Sequence, residues 1–186
     1  MTRREIRDKI FKIVFTAEFN TPDEMEDQIQ LAFDTEMPGD EEDDPMLYVS
    51  VSDKDRTYIT DKVMDILAHK EAIDSTISEI SEGWKLQRIG KEELAILRLG
   101  VYEVVYDETI PEKVAINEAV ELAKKYCDVS ASKFINALLA KLVKKESSAD
   151  DKNGTEKTST QKTSTEKNCN EVSGTEDKED VDNATE

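Results

Sequence analysis

The stretch "IPEKVAINEAVELAKKY", residues 110–126, carries the clearest structural signal in the chain. Pro111 marks a stop followed by a new helix, because proline is tolerated in the first turn of a helix but not in its interior. From Val114 onward, apolar residues recur at helical spacing on one face, and two lysines close the last turn, where cations suit the helix dipole. The pattern therefore predicts an amphipathic helix that packs on a neighbour. Its predicted buried residues are Val114, Ala115, Ala119, Leu122 and Ala123.

The same periodicity extends through most of the chain up to about residue 145. The 186 residues include only six Gly and four Pro, and equal shares of 37% hydrophobic and 37% charged residues, which favours an all-helical class over a sandwich or a barrel. The spacing predicts about seven helices, of which the one through "AILRLGVYEVVY" is apolar on most sides and so the most buried. Four of the predicted helices occupy 3–19, 70–82, 114–126 and about 130–145. Two more begin near Thr21 and Ser52, and one runs through 95–106.

Two segments depart from this pattern. "DTEMPGDEEDD", residues 34–44, is too charged to bury, so a solvated acidic loop is expected at 34–45. Residues 146–186 hold twelve Asp or Glu against five Lys and almost no apolar residue, which predicts a disordered acidic tail with a Thr/Ser/Lys repeat. The domain organisation expected is one helical domain at 1–145, with the acidic loop inserted, followed by the tail.

Charge and cysteine usage narrow the function classes. The net charge of the chain is −18, of which −11 lies in residues 1–145, and this argues against indiscriminate nucleic-acid binding. A local basic site is still compatible with this net charge. Cys127 and Cys169 lie far apart and form no metal or disulfide pattern, which fits a reducing compartment. No apolar stretch is long enough to span a bilayer. We therefore expect a cytoplasmic protein with no membrane contact.

No pattern in the chain predicts an enzyme. His69 is the only histidine and has no neighbouring metal-ligand or catalytic residues in sequence, so it reads as a surface residue. Phosphate-loop, dinucleotide-binding, zinc-protease and nucleophile-elbow motifs are all missing. The acidic run lacks the ligand spacing of an EF-hand. The sequence favours a binding module without catalytic residues, cofactor or metal.

The opening "TRREIRDK" is the best basic feature. Arginine forks suit phosphates and base edges, and a helix N-terminus adds a positive field. The residue pattern alone leaves two interpretations open, a basic helix start that faces solvent and a phosphate-binding site. The cations of this segment are Arg3, Arg4, Arg7, Lys9 and Lys12.

Three blocks together resemble the NusB family of bacterial transcription antitermination factors: "RREIRDKIFKIVF", the segment from Trp84 through "AILRLGVYEVVY", and "IPEKVAINEAVELAKKYCDVSASKFINALLAKL". The resemblance covers residues 3 to about 145 and implies a helical bundle of two packed halves. It also implies binding of boxA-type single-stranded RNA from nascent ribosomal transcripts as a heterodimer with ribosomal protein NusE, in a complex with other Nus factors and RNA polymerase. The RNA-binding residues expected are Arg3, Arg4, Arg7, Lys9, Lys12, Lys124, Lys133 and Phe134. Glu5 and the pair Asn136-Ala137 depart from the family pattern, which has a further basic residue and Asn-Gly at these positions.

Several alternatives stay open on the sequence. The chain could be a NusB-like RNA-binding module of the RNA-methyltransferase type without its catalytic domain, or a purely protein-binding helical adaptor. A homodimer of the uncomplexed protein is also left open. Asn117 and Glu118 are expected to cap or brace a neighbouring helix, and packing of the two halves would join the C-terminal lysines to the N-terminal arginines in one basic surface.

Overall fold

The computed structural model describes residues 1–34, 51–82 and 84–153, with side chains described as far as residue 145. Within these residues the chain forms seven α-helices and two short 3-10 turns, and it has no strand, which confirms the all-α class. The predicted acidic loop and most of the predicted tail lie outside the described residues. The helices are α1 Arg3–Thr16, α2 Met25–Asp34, α3 Asp53–Ala68, α4 Lys70–Ile80, α5 Lys91–Val105, α6 Glu112–Tyr126 and α7 Val129–Asn153.

Helix α5 lies at the centre of the bundle. It packs against α1, α3 and α4 from the first half of the chain and against α6 and α7 from the second, so the two halves share one hydrophobic core. Gly100 permits a close contact between α5 and α7. A Cβ at this position would lie 2.8 Å from Leu139 Cδ1 of α7, nearer than side-chain carbons normally approach. The prediction that this helix is the most buried is consistent with its fully enclosed apolar residues Ala95, Ile96, Leu97 and Val101.

A local signal explains where helix α7 begins. Helix α7 starts after Asp128, whose Oδ1 accepts hydrogen bonds from the backbone N–H groups of Ser130 at 2.8 Å and Ala131 at 2.9 Å. The carboxylate therefore satisfies N–H groups that have no partner within the helix. Asp128 therefore caps the start of α7. Helix α7 then continues past Lys145 to Asn153.

One predicted core residue of α6 is wrong. Val114 is 45% exposed, whereas Ala115 next to it is fully buried. At a rotation of about 100° per residue, the face formed by Ala115, Ala119 and Ala123 turns away from Val114, so Val114 lies outside the buried stripe. In the described part of the chain, no helix combines the length and the apolar character needed to cross a membrane.

Candidate nucleic-acid interface

The first turn of α1 is held by a capping box. The backbone N–H of Glu5 donates to Thr2 Oγ1 at 3.3 Å, and the backbone N–H of Thr2 donates to Glu5 Oε2 at 2.6 Å. Two N–H groups at the helix start are thereby satisfied reciprocally. This contact orders the turn that carries Arg3 and Arg4, both of which are exposed. Sequence reasoning treated Glu5 only as a departure from a basic pattern and missed the Thr-x-x-Glu signal.

Arg7 lies on the inner side of α1. Its residue surface is only 8% exposed, its Nε lies 3.0 Å from both carboxylate oxygens of Glu103, and its Nη1 lies 3.1 Å from Glu118 Oε2. Arg7 is therefore enclosed by the fold, whereas Arg3 and Arg4 are exposed. Its guanidinium ties α1 to α5 and α6 at once, because carboxylates from both helices reach the same side chain.

The contacts of Arg7 extend into a larger group that we call the buried ion cluster, and this cluster was not predicted. Lys62 of α3 places its Nζ 2.9 Å from Glu103 Oε1 and 2.9 Å from Asp107 Oδ2. Burial would lower the pKa of Lys62, but its ion pair with Glu103, its hydrogen bond to Asp107 and the influence of Tyr58 together outweigh burial, and the pKa is raised. The only sequence signal was the presence of charged residues within otherwise apolar helices. The cluster consists of Arg7, Lys62, Glu103, Asp107 and Glu118.

A second group of charges lines the outer side of α1 where it faces α6, and we call it the α1–α6 seam. Arg4 Nε lies 3.7 Å from Glu118 Oε1, so Glu118 belongs to both groups. One turn further along α1, Asp8 is shared between Lys12 at 3.0 Å and Lys125 at 3.3 Å. The seam consists of Arg4, Asp8, Lys12, Glu118, Lys125 and Tyr126. Glu118 thus braces a neighbouring helix as the sequence predicted.

Asp8 is the most heavily contacted carboxylate of the seam. Besides the two lysines, the hydroxyl of Tyr126 donates to its Oδ1 at 2.6 Å. Burial would raise the pKa of Asp8, but the hydrogen bonds from Tyr126, Lys12 and Lys125 and the attraction of Lys12 together outweigh it, and the pKa is held below its usual value. Asp8 is therefore ionised at neutral pH and neutralises part of the basic surface around it.

The packing of α1 beside α6 brings part of the predicted basic surface together. Lys124 is exposed, on α6 next to Lys125, and pairs with Glu121 at 2.7 Å. Arg4 also acts on this glutamate, since it helps to lower the pKa of Glu121 after the larger effect of Lys124. The surface around the seam therefore alternates in sign, with carboxylates placed between the cations.

Lys9 points away from the seam. Its ammonium lies 5.3 Å from the ring centre of Phe33 on α2, and it is partly buried. Burial lowers the pKa of Lys9, and repulsion by Lys12 and Arg56 adds to the effect. The five predicted α1 cations thus point in four directions: solvent for Arg3 and Arg4, the core for Arg7, α2 for Lys9, and the seam for Lys12.

Lys133 and Phe134 lie on α7. Phe134 packs its half-buried ring against Trp84, with ring centres 5.8 Å apart and planes tilted by 54°. Trp84 is 54% exposed, so its indole offers an accessible aromatic face. Lys133 is exposed and has no ion pair within the described part of the chain. Trp84 was quoted in a sequence block but not predicted as a site residue.

The described residues hold no group of three or more His, Cys, Asp or Glu side chains arranged to bind a metal ion. The predicted acidic run lies outside those residues.

Comparison with known proteins places the chain in a family. The NusB family model matches residues 4–144. The transcription antitermination protein NusB of Agathobacter rectalis is 43% identical over 141 residues, which cover 76% of this chain and 98% of the relative. The NusB structure of T. maritima is similar with a TM-score of 0.62 at 29% identity, covering 77% of this chain and 92% of the other.

A further solved structure, of antitermination factors NusB and NusE in complex with dsRNA, has a TM-score of 0.60 at 24% identity and covers 77% of this chain and 96% of the other, a likeness that shows the fold alone. The family match begins in α1 and ends in α7, and the relative is covered over 98% of its own length. A transcription antitermination protein acts by binding rather than by catalysis, so this chain is not an enzyme. The chain belongs to the NusB family of transcription antitermination proteins.

Proposed function

We propose that this chain binds boxA-type single-stranded RNA of nascent ribosomal transcripts as a heterodimer with ribosomal protein NusE. The pair would join other Nus factors on RNA polymerase in the cytoplasm. The observation that carries the proposal is the capped first turn of α1, which presents two exposed arginines, Arg3 and Arg4, in a chain of the NusB family. Guanidinium groups form charge-assisted hydrogen bonds with phosphates, and the helix N-terminus adds to the positive field.

Single-stranded RNA suits the aromatic pair Trp84 and Phe134 and the neighbouring Lys133. Unpaired bases can stack on aromatic side chains, while the deep groove of an RNA duplex does not admit them. Trp84 and Phe134 form an aromatic pair with an exposed indole, and Lys133 lies exposed next to Phe134 in sequence. We assign these three residues to base stacking and to a phosphate contact.

The charge of the protein explains why a partner is needed. Residues 1–145 carry a net charge of −11, which repels a polyanion, and the cations of the seam are largely paired with carboxylates. A partner that adds positive surface would supply the missing free energy. We assign this role to NusE because a NusB protein of the same fold was solved with NusE and dsRNA.

A protein-binding adaptor that does not touch RNA remains the second candidate. The pairing of Lys12, Lys124 and Lys125 with carboxylates favours it, because paired cations attract phosphate less than unpaired ones. The methyltransferase-type module is not favoured by the relatives, since the antitermination protein of Agathobacter rectalis is covered over 98% of its own length.

The test is a fluorescence titration of labelled boxA-type RNA with this protein, with NusE, and with their mixture, at fixed salt. We expect the mixture to bind at least about tenfold tighter than either protein alone, within the usual range of coupling between sites. The RNA must tighten the protein pair by the same factor, because coupling is reciprocal. A scrambled RNA of equal length is the control. Equal affinity with and without NusE would contradict the heterodimer, and equal affinity for both RNAs would contradict boxA recognition.

A further inference from the structure

We propose that Asp8 and Glu118 limit the affinity of the α1–α6 seam for RNA by holding its cations in internal ion pairs. This inference rests on the proposed function, since it concerns the same surface. Each of the two carboxylates is shared between two cations, and each sits between α1 and α6. RNA phosphates that approach the seam must compete with carboxylates that already occupy these cations.

Glu118 is held firmly on one side and loosely on the other. Its Oε2 accepts a hydrogen bond from Arg7 Nη1 at 3.1 Å in a partly buried setting, while its Oε1 lies 3.7 Å from Arg4 Nε, beyond a good hydrogen bond. The Glu118 side chain is 15% exposed and that of Arg4 is 75% exposed. The buried arginine therefore fixes the carboxylate beside the exposed one, and Glu118 cannot turn away when a phosphate arrives.

Two opposite effects of Glu118 on Arg4 have to be weighed. A carboxylate could orient Arg4 and so reduce the entropy lost on binding, or it could repel the incoming phosphate. Arg4 is mostly in solvent and has a single contact to Glu118 at 3.7 Å, so this contact restrains the Arg4 side chain little. The fixed negative charge of Glu118 repels an incoming phosphate whichever rotamer Arg4 adopts. Repulsion and competition therefore outweigh the ordering effect, and Glu118 weakens binding.

Asp8 repeats the arrangement one turn further along α1. It lies between Lys12 and Lys125, and the hydroxyl of Tyr126 fixes its position. Its lowered pKa keeps it charged under all neutral conditions. Asp8 and Glu118 are thus two carboxylates held in fixed positions among the cations of the α1–α6 seam.

The experiment compares Glu118→Gln and Asp8→Asn in the full chain with Glu112→Gln as a matched control. Glu112 is exposed in the first turn of α6, and its replacement changes the net charge equally but removes no seam contact. The probe is labelled boxA-type single-stranded RNA, in the presence of NusE, at several salt concentrations. We expect Glu118→Gln and Asp8→Asn each to bind about three- to fivefold tighter, the range of one exposed ion pair, and Glu112→Gln to change affinity by less than about twofold.

The salt dependence of RNA binding distinguishes a gained phosphate contact from an indirect structural effect of the substitution. Each additional neutralised phosphate steepens the slope of log K against log salt by about 0.7 for a single strand, so both seam variants should show a steeper slope. Circular dichroism melting confirms folding, and the amide of each variant can still accept the hydrogen bonds from Arg7 or Tyr126. The inference is overturned if neither folded variant binds tighter than Glu112→Gln while Arg3→Ala/Arg4→Ala weakens binding. Loss of all RNA binding by the wild-type pair would instead overturn the proposed function itself.

Discussion

Arg4 and Arg7 lie one turn apart on the same helix and contact the same glutamate, yet their surroundings differ completely. Arg7 is enclosed in the buried ion cluster, with carboxylates of Glu103 and Glu118 at 3.0 and 3.1 Å. Arg4 stands in the α1–α6 seam with its side chain 75% exposed and a single pair at 3.7 Å. A buried charge depends on its partners, whereas an exposed charge is solvated without them.

This difference assigns separate roles to the two regions. The buried ion cluster joins α1, α3, α5 and α6, so it holds in place the helix whose first turn carries the exposed arginines. The seam offers charges that a ligand can reach. Replacement of the two arginines should therefore act on different quantities, the free energy of unfolding for Arg7 and the affinity for RNA for Arg4.

The largest effect is expected for Arg7→Met. Removal of the Arg7 guanidinium leaves Glu103, whose side chain is 2% exposed, with Lys62 as its remaining ion-pair partner. Glu118 also loses its ion pair with α1 through Arg7. Loss of one member of a buried pair costs about 3 kcal/mol, so the urea midpoint should fall strongly. Arg4→Met is the matched control and should change the free energy of unfolding by less than about 0.5 kcal/mol. Equal effects of the two variants would remove the distinction between the regions.

A smaller effect is expected for Asp8→Asn in the seam. The hydrogen bonds and ion pairs of Asp8 stabilise its charged form, so the variant should lose about 1 kcal/mol at pH 7. Since the pKa of Asp8 is lowered in the folded protein, this stabilisation is present above the unfolded value near about pH 4 and is lost as the pH falls through the folded value.

Urea unfolding of wild type and Asp8→Asn at pH 7, 5 and 3 measures this contribution. The difference between the two proteins should be the same at pH 7 and 5 and should shrink by pH 3. A difference that grows on acidification would show that the carboxylate of Asp8 does not stabilise the seam in its charged form.

The smallest effect on stability is expected for Arg3→Ala/Arg4→Ala. Both side chains are exposed, so the free energy of unfolding should change by less than about 0.5 kcal/mol. Affinity of the NusE mixture for boxA-type RNA should nevertheless fall about tenfold, and the salt slope should become shallower. Lys113→Ala, an exposed cation on α6 outside the seam, serves as the control. An unchanged RNA affinity in the folded double variant would contradict the assignment of the first turn of α1.

Local patterns were sufficient for the helices and insufficient for the contacts between them. The apolar spacing predicted the seven helices, because a repeat of 3.6 residues is a property of neighbouring positions along the chain. Val114 shows the limit of such a pattern, since a residue at the edge of a stripe is buried only if a neighbouring helix reaches it. The capping box at Thr2 and Glu5 was available in the sequence as a Thr-x-x-Glu motif.

By itself, the sequence determined the all-α class, the family resemblance and the exposed basic start of α1, because these depend on residue order and local propensity. Only the tertiary structure decided that Arg7 is buried, that Asp8 and Glu118 neutralise the seam, and that Phe134 packs against Trp84. Arg7 and Glu103 are separated by 96 residues, and Arg7 and Glu118 by 111. The burial of a charged side chain depends on which distant carboxylates the fold brings next to it. The spacing of residues along one helix cannot predict these partners.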